Sequence, residues 1–492
     1  MSQARTRIAA PLAAAVLIGG GLTALSLAPA QAATAGKAAA ADDFNGDGYA
    51  DLVSGAPGGT VSGQANAGYV AVTYGSAKGI SATNKKLLSR STTGIPGSAT
   101  AKQSFGQYVT KGDLDGDGYS DLVIGSRAAD AGSVIVWGSA AGLTGGTAIN
   151  TYGRSPQTGD FDGDGKTDLA LFAGIAAYGD DPVDQRAALF KGPISRTGVP
   201  AAKGDFIDKS QWWGYGAEDA SCQATDECVD GPHSIAGPVV GKSVGDINGD
   251  GRDDIAIYSY GGDGTNANSV LYGGTSGFKK GWAPGAHGSL AVGDVNGDGY
   301  ADVVNGDSDG SNGDESGAVR IAFGSADGLS REHLQTFDQS LPGFYGAQEE
   351  GDRLGSCAAV ADIDGDGKAE VALGIAGEDF GGKTDAGTFA LLHGTATGVT
   401  GTGSQVLSQN SADVPGVAES GDKFGADCAL LDLNGDGRRD LAVSSTAENA
   451  SEGAVWAFPA TATGVTATGS VAVNPHDLAA PATKALLGTT LR

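Results

Sequence analysis

Asp113-Leu-Asp-Gly-Asp-Gly-Tyr-Ser-Asp121 decides the fold, because the same nine-residue pattern occurs seven times in the 492 residues of the chain. Positions 1, 3, 5 and 9 always carry Asp, Asn or Glu, and positions 4 and 6 are always Gly. Position 2 is always apolar, so its side chain is expected to point into a core. The seven copies begin at Asp43, Asp113, Asp160, Asp246, Asp294, Asp362 and Asp432.

Hard oxygen donors at alternate positions of a short loop are the ligands that Ca²⁺ takes in proteins, whereas Mg²⁺ prefers fewer protein ligands and more water. Side-chain oxygens at positions 1, 3 and 5, the backbone carbonyl of position 7 and a bidentate acid at position 9 would surround one ion. Glycine at positions 4 and 6 lets the backbone turn left-handed without steric cost. We therefore expect up to seven structural Ca²⁺ ions. The expected ligands are Asp43, Asn45, Asp47, Tyr49, Asp51, Asp113, Asp115, Asp117, Tyr119, Asp121, Asp160, Asp162, Asp164, Lys166, Asp168, Asp246, Asn248, Asp250, Arg252, Asp254, Asp294, Asn296, Asp298, Tyr300, Asp302, Asp362, Asp364, Asp366, Lys368, Glu370, Asp432, Asn434, Asp436, Arg438 and Asp440.

The loops are not EF-hands, because an EF-hand places its bidentate Glu at position 12. Position 12 here falls inside apolar runs such as Asp121-Leu-Val-Ile124, which predict a strand after the loop. The sequence before the loop, for example Phe105–Thr110, is also typical of a strand. Each loop is therefore expected to connect the two strands of a β-hairpin.

Further strands follow most of the loops. Gly132-Ser-Val-Ile-Val-Trp137 is typical of a third strand, and Lys85–Leu88 of a weaker fourth strand. Four short strands form one blade of a β-propeller. The loops start 47 to 86 residues apart, so the connections differ in length while the motif stays the same. Seven units predict an all-β fold, a seven-bladed β-propeller of four-stranded blades closed into a ring.

The two ends of the chain predict how the ring closes. The first repeat begins at Asp42 without a strand before its loop, whereas Ala485–Arg492 at the end of the chain resembles the missing strand. We expect this C-terminal strand to complete blade 1, because the pairing would remove an open sheet edge.

The residues around the loops resemble a known family. Phe105-Gly106 and Phe424-Gly425 precede two loops, and Gly55-Ala56-Pro57 follows the first loop. Together with the loops they are similar to the FG-GAP repeats of the integrin α-subunit β-propeller, over residues 42–492. The aromatic residue is replaced in Leu354-Gly355, and all seven loops keep their acids, whereas integrin subunits carry metal in only some blades. The resemblance implies extracellular recognition or cell adhesion, not a reaction.

The N-terminal segment is typical of a targeting signal. Residues 1–32 contain two arginines, the apolar run Ile8–Leu27 and small residues up to Ala32, and we interpret them as a Sec-type signal peptide. Residues 33–41 would be a short flexible tail, and 42–492 the propeller. No second apolar segment approaches the length of about 20 residues that a membrane helix needs. The protein is therefore expected to be secreted, without a membrane anchor.

Charge indicates which partners to expect. The chain has 58 Asp and Glu against 31 Lys and Arg, which gives a net charge of −27. Such a chain repels nucleic acid and anionic lipid, so cations are its natural partners and no nucleic acid is expected.

Four cysteines suit an oxidising compartment. Cys222 and Cys228 are expected to form a disulfide within an irregular segment. Cys357 and Cys428 lie in similar strands of two repeats, where they either pair between neighbouring sheets or remain buried thiols.

The sequence contains no catalytic constellation. Two Gly-x-Ser-x-Gly matches, centred on Ser243 and Ser308, do not lead into a helix as a nucleophile elbow does. The five histidines are scattered without the spacing of a zinc site. No catalytic residue is therefore assigned.

Long insertions are the candidates for ligand recognition, because propellers bind through the loops of one face. They fall at Gly55–Gly68, Gly204–Gly241 and Thr336–Arg353, and we expect them opposite the metal loops. Aromatic residues within them can stack on sugars or anchor a protein. Alternatively, Trp213-Gly214 is a variant aromatic-Gly pair that packs between blades. The candidates are Trp212, Trp213, Tyr215, Phe344 and Tyr345.

These patterns favour a secreted, calcium-binding and monomeric recognition or adhesion module for an extracellular protein or glycan. The alternative is a secreted hydrolase or lyase that acts on polysaccharide or another extracellular polymer. The sequence identifies neither the ligand nor a reaction.

Overall fold

Seven antiparallel sheets follow one another along the chain in the computed structural model. The structure describes residues 42–128, 131–149, 152–174, 183–212, 220–225, 228–262, 265–308 and 315–492. The expected signal peptide and tail lie outside these ranges, and so do Trp213 and Tyr215. Residues 39–492 form one compact unit.

Each sheet is one blade of a seven-bladed β-propeller, and the strands of a blade lie side by side in chain order. The predicted fold class is therefore confirmed. Blade 1 contains β1 (Leu52–Ala56), β2 (Tyr69–Thr73) and β3 (Lys85–Leu88). Blade 2 contains β4 (Phe105–Gly112), β5 (Asp121–Ser126), β6 (Ser133–Trp137) and β7 (Thr144–Ile149). Blade 3 contains β8 (Arg154–Gly159), β9 (Asp168–Phe172), β10 (Val183–Ile194) and β11 (Pro200–Gly204), and after α1 (Ala220–Thr225) the strand β12 (Ser234–Gly237) pairs with β10.

The remaining blades have the same plan. Blade 4 contains β13 (Val239–Gly245), β14 (Asp254–Gly262), β15 (Thr265–Tyr272) and β16 (Lys279–Trp282). Blade 5 contains β17 (Ser289–Gly293), β18 (Asp302–Asp307), β19 (Ala318–Ala322) and β20 (Leu334–Phe337). Blade 6 contains β21 (Leu354–Ala361), β22 (Glu370–Ile375), β23 (Thr388–Thr395) and β24 (Gly398–Leu407). Blade 7 contains β25 (Cys428–Leu431), β26 (Asp440–Ser445), the turn α2 (Glu448–Ser451), β27 (Ala454–Phe458), the small hairpin β28 (Ala460–Thr461) and β29 (Gly464–Val465), and β30 (Val471–Val473).

Packing between blades explains the sequence of the strands. The middle strands β5 and β6 are buried at every residue, because a blade packs against a neighbour on both of its faces. Their central residues, Leu122–Ile124 and Val134–Val136, are therefore apolar without alternation, as expected for strands that are covered on two sides. The outer strand β7 is half-exposed and correspondingly polar. Position 2 of each loop is buried as predicted, for example Phe44 at 0% exposure.

The end of the chain closes the ring in blade 1. Leu491 bridges Ser54 of β1 in the antiparallel sense. The N–H of Val53 donates to the carbonyl of Arg492 at 2.8 Å, and the N–H of Arg492 donates to the carbonyl of Val53 at 3.1 Å. Leu491 is fully buried. The prediction that the C-terminal strand completes blade 1 is thus confirmed.

Two disulfides are present. Cys222 and Cys228 are joined within the insertion between blades 3 and 4. Cys357 of β21 is joined to Cys428 of β25, so that the first strands of blades 6 and 7 are linked covalently. This second pairing settles the choice that the sequence left open between a disulfide and two buried thiols.

Candidate metal-binding face

The seven acidic nonapeptides lie at one end of the blades, where the first strand of a blade is followed by the second. In the second loop, the carboxylate of Asp113 lies at the centre of the turn. Its Oδ1 accepts N–H bonds from Gly116 at 2.8 Å and from Asp117 at 3.1 Å, and its Oδ2 accepts one from Gly118 at 2.9 Å. The backbone therefore wraps around the position 1 carboxylate, as the two glycines allow.

The position 9 acid fastens each loop to its blade. Oδ2 of Asp121 accepts the N–H of Leu114 at 2.9 Å, and Oδ1 accepts the N–H of Gly138, beyond the third strand, at 2.8 Å. The expectation of a bidentate ligand must be refined, because both oxygens already hold backbone donors. Each carboxylate oxygen has a second lone pair, which leaves one direction per oxygen for an ion.

Burial makes the position 9 carboxyl groups costly to ionise. Desolvation raises the pKa of Asp121 to about 7, although the two backbone N–H bonds lower it. At neutral pH an ionised carboxylate in this place loses hydration, and a bound cation would offset that loss. The same cause raises the pKa to about 7 for Asp51, Asp254 and Asp302, and to about 6 for Asp168 and Asp440.

The donor atoms fit a hard cation. Ligand oxygens of Asp113, Asp115 and Asp121 lie within 4.8 Å of one another, and so do those of Asp160, Asp162 and Asp168. Ca²⁺ binds oxygens at roughly 2.3–2.6 Å, so oxygens on opposite sides of an ion lie about 5 Å apart. Oδ1 of Asp432, at position 1 of the seventh loop, is buried without a hydrogen-bond partner. An ion bound by this loop would supply the partner.

Five of the seven pairs of neighbouring loops are hydrogen-bonded to each other in an acidic belt, which the sequence did not predict. The N–H of position 8 donates to the position 1 carbonyl of the preceding blade, as from Ser120 to Asp43 at 3.0 Å. Ala50 donates in the same way to Asp432 at 2.9 Å, and this bond crosses the closure of the ring. The other three such bonds run from Asp253 to Asp160, from Ala301 to Asp246 and from Ala369 to Asp294.

The side chain at position 7 packs against the preceding loop, in addition to the role expected for its backbone carbonyl. The ring of Tyr300 lies across Gly249, the position 4 glycine of the preceding loop, and Tyr119 lies across Gly46 in the same way. A Cβ atom added at Gly249 would approach the Tyr300 ring to 2.7 Å. The combination of an invariant glycine at position 4 and a long side chain at position 7 was the available signal for this contact.

The contact between loops predicts different costs for two similar substitutions. Gly249 and Gly116 both have positive φ, of 68° and 76°, but a Cβ at Gly116 would meet nothing within 4 Å. Gly116→Ala is expected to cost about 1 kcal/mol from backbone strain alone. Gly249→Ala should cost about 1 kcal/mol more, because the Tyr300 ring must move. Urea unfolding at saturating Ca²⁺ measures both values, and equal destabilisation would contradict the packing.

Some loops have a basic side chain or an imidazole beside their acids. The Arg196 guanidinium lies 2.6 Å from Asp115 Oδ2 and 2.6 Å from Asp117 Oδ2, which are positions 3 and 5 of the second loop. In the sixth loop, Nδ1 of His393 lies 3.4 Å from Oε1 of Glu370. Glu is longer than Asp, so its outer oxygen reaches this imidazole. The loops are therefore not equivalent as metal sites.

The structure separates the aromatic candidates for ligand recognition. Phe344 is 8% exposed and packs in the core between blades 5 and 6, so most of its side chain is not available to a ligand. Tyr345 is 73% exposed. Trp212 is 48% exposed, and its insertion first runs along the outer side of blade 4, where Ile207 bridges Phe278. Four exposed apolar residues of the described chain were missed, because no sequence pattern distinguished them: Val199, Leu334, Phe380 and Val417.

Comparison with known proteins identifies the repeats. The FG-GAP repeat model matches residues 35–73, 243–272, 355–392 and 424–458, and an FG-GAP-like repeat model matches 113–171. Six of the seven loops lie within these segments. The chain therefore contains FG-GAP repeats, and the family resemblance noted in the sequence is confirmed.

Two other comparisons add little. No sequence match was found among curated proteins. Among solved structures, the chain is similar to the BP39L lectin from Burkholderia pseudomallei, with 13% identity and a TM-score of 0.42, over 80% of this chain and 93% of that chain. Within the described ranges, no helix has the length and apolar character needed to cross a membrane.

Proposed function

We propose that the protein is an extracellular recognition module whose propeller is held together by Ca²⁺ in the seven loops. The observation that carries the proposal is the belt of acidic loops on one face. Its donors are all hard oxygens, apart from the His393 ring beside Glu370, and hard oxygens select Ca²⁺ over softer metals. The two disulfides support an oxidising compartment outside the cytoplasm.

The face opposite the metal loops is the candidate recognition surface. The connections from second to third strands, and from one blade to the next, reach that end of the blades. Tyr345 is 73% exposed, Val417 68% and Phe380 38%, and all three lie on such connections of blades 5 to 7. Exposed apolar side chains on a rigid scaffold are typical of binding anchors for a protein or a glycan. The ligand is therefore expected to contact blades 5 to 7.

Arrays of glycans and extracellular proteins, probed with and without Ca²⁺, test the function. We expect a ligand that binds in Ca²⁺ and whose affinity falls at least tenfold in Tyr345→Ala with Val417→Ser, because such anchors contribute more than 1 kcal/mol. Val199→Ser is the matched control, because Val199 is 61% exposed on a connection from a third to a fourth strand, at the metal face. Equal losses in both variants would contradict the proposed surface. Turnover of an array ligand would instead support an enzyme.

A further inference from the structure

Two clusters of buried polar residues repeat the same arrangement at the face opposite the metal loops. We call them the 5/6 junction and the 6/7 junction, after the blades that contribute to each. The 5/6 junction consists of Gln339, Asp352 and Glu378, and the 6/7 junction consists of Gln409, Asp422 and Glu448. Each Gln lies two residues after the outer strand of one blade, and each acid pair belongs to the next blade.

Two hydrogen bonds are shared by the two junctions, and Gln339 Nε2 donates in addition to the carbonyl of Ala347 at 3.3 Å. Gln339 Nε2 donates to Glu378 Oε2 at 3.2 Å, and Gln409 Nε2 donates to Glu448 Oε2 at 2.7 Å. Oδ2 of each Asp accepts a backbone N–H at 2.7 Å from a residue three positions earlier. A chance contact between charged side chains would not be repeated with the same partners in successive blades.

Each junction contains a buried acceptor with no donor. Gln339 is 3% exposed and Gln409 is 1% exposed, and the Oε1 atom of each has no hydrogen-bond partner. The side chain of each Gln reaches the acid pair, because its amide nitrogen donates to the Glu carboxylate. An ionised carboxylate only accepts hydrogen bonds and cannot satisfy this oxygen. Leaving the buried Oε1 atom unpaired costs free energy. A cation would pair with this oxygen and with the two carboxylates.

The negative charges of the acid pairs also favour a bound cation. Within the described part of the chain, no Lys or Arg forms an ion pair with any of the four acids. Asp352 is 2% exposed and Asp422 is 3% exposed. Burial and the neighbouring Asp352 raise the pKa of Glu378 to about 7, and burial and Asp422 raise that of Glu448 to about 7. Two carboxylates placed together without a counter-ion repel each other.

At another junction a positively charged side chain occupies the place of the Gln. Between blades 1 and 2, Arg90 stands at the position of Gln339, and Gln103 stands at the position of Asp352. Arg90 is 6% exposed, and its guanidinium donates to the carbonyls of Pro96, Ala131 and Gly132. Where a side-chain cation is present the acid is absent, and where two acids are present the cation is absent.

We propose that the 5/6 and 6/7 junctions each bind one divalent cation of the Ca²⁺ class, through the Asp and Glu carboxylates and the Gln Oε1 atom. These two sites are a second class, separate from the seven loops and on the opposite face. Each ion joins the end of the outer strand of one blade to the next blade, where it is bound by the segment before the first strand and by the connection between the second and third strands. The ions therefore hold the connections that carry Tyr345, Phe380 and Val417.

Equilibrium dialysis with Ca²⁺ tests the proposal by counting bound ions per chain. Glu378→Gln with Glu448→Gln is expected to bind two ions fewer than the unmodified protein. The same variant should melt lower in Ca²⁺ but no lower in EDTA, because it removes a repulsion between carboxylates. Asp298→Ala, in the fifth loop, is the control for the other class and should lose one ion. Its result shows separately whether the loops bind Ca²⁺.

A second variant distinguishes the loss of an ion site from a general loss of folding. Gln409→Arg installs at the 6/7 junction the side chain that the protein already uses at the junction of blades 1 and 2. It is expected to lose one bound ion and to melt higher than the unmodified protein in EDTA. An unchanged number of bound ions in both junction variants would overturn the proposal, and a proton shared within each acid pair would then explain the cluster. Ion loss in either variant, with the melting pattern described, supports it.

Discussion

EDTA is expected to lower the melting temperature of the protein by on the order of 10 °C. With Kd values near 10⁻⁴ M and about 2 mM Ca²⁺, each loop adds roughly 1.8 kcal/mol to the free energy of unfolding. Seven independent loops then add about 12 kcal/mol, which is comparable to the whole stability of a typical domain. The physical reason is that the loops hold their carboxylates close together in the folded state, as at Asp113, Asp115 and Asp121.

Differential scanning calorimetry in Ca²⁺, in Mg²⁺ and in EDTA measures this effect. Mg²⁺ should restore only part of the lost stability, because it binds fewer protein ligands. Asp117→Ala should remove the contribution of the second loop, roughly 1.8 kcal/mol, and leave the other loops intact. A melting temperature that is the same in Ca²⁺ and in EDTA would refute the structural role of the ions.

Deletion of Ala485–Arg492 is expected to abolish cooperative folding of the whole propeller. The segment buries Ala485, Leu487 and Leu491 completely, all three in the cluster that also contains residues of blades 1 and 7. Burial of a leucine contributes about 2–5 kcal/mol, so this loss together with the backbone bonds to β1 approaches the total stability. Blade 1 would also present an open sheet edge, which favours aggregation.

Circular dichroism and calorimetry of the truncated chain measure the result. Leu491→Asp is a milder form of the same test, because it keeps the chain length and places a charge at a position with 0% exposure. Thr489→Ala is its control, since Thr489 is only partly buried. A truncated chain that melts as cooperatively as the full chain would show that the ring does not depend on this strand.

The sequence predicted those features that repeat locally. The nonapeptides, the apolar strands beside them and the unpaired first repeat determine blade number and closure, because each depends on residues close together in the chain. Contacts between blades were predicted less well. The disulfide from Cys357 to Cys428 joins neighbouring repeats, and no pattern within one repeat specifies it. The packing of Tyr300 on Gly249 also joins neighbouring repeats, so its signal at positions 4 and 7 can be interpreted only when two repeats are placed side by side.

The candidate recognition residues show the same limit. Phe344 and Tyr345 are adjacent aromatic residues in one insertion, and composition could not tell which would be buried. The structure buries Phe344 because the backbone turns there, with its N–H donating to the carbonyl of Leu341 at 2.8 Å. The two acids of each junction lie 26 residues apart, at Asp352 and Glu378 and at Asp422 and Glu448. Only the folded blade brings them together.

The origin of the last strand constrains how the protein is made. Blade 1 precedes the other six blades in the chain, yet its inner edge is covered only by the segment that ends in Arg492. The ring therefore cannot close before blade 7 and this segment have been synthesised. Until then blade 1 keeps an unpaired strand edge, so the earliest blade reaches its native pairing last.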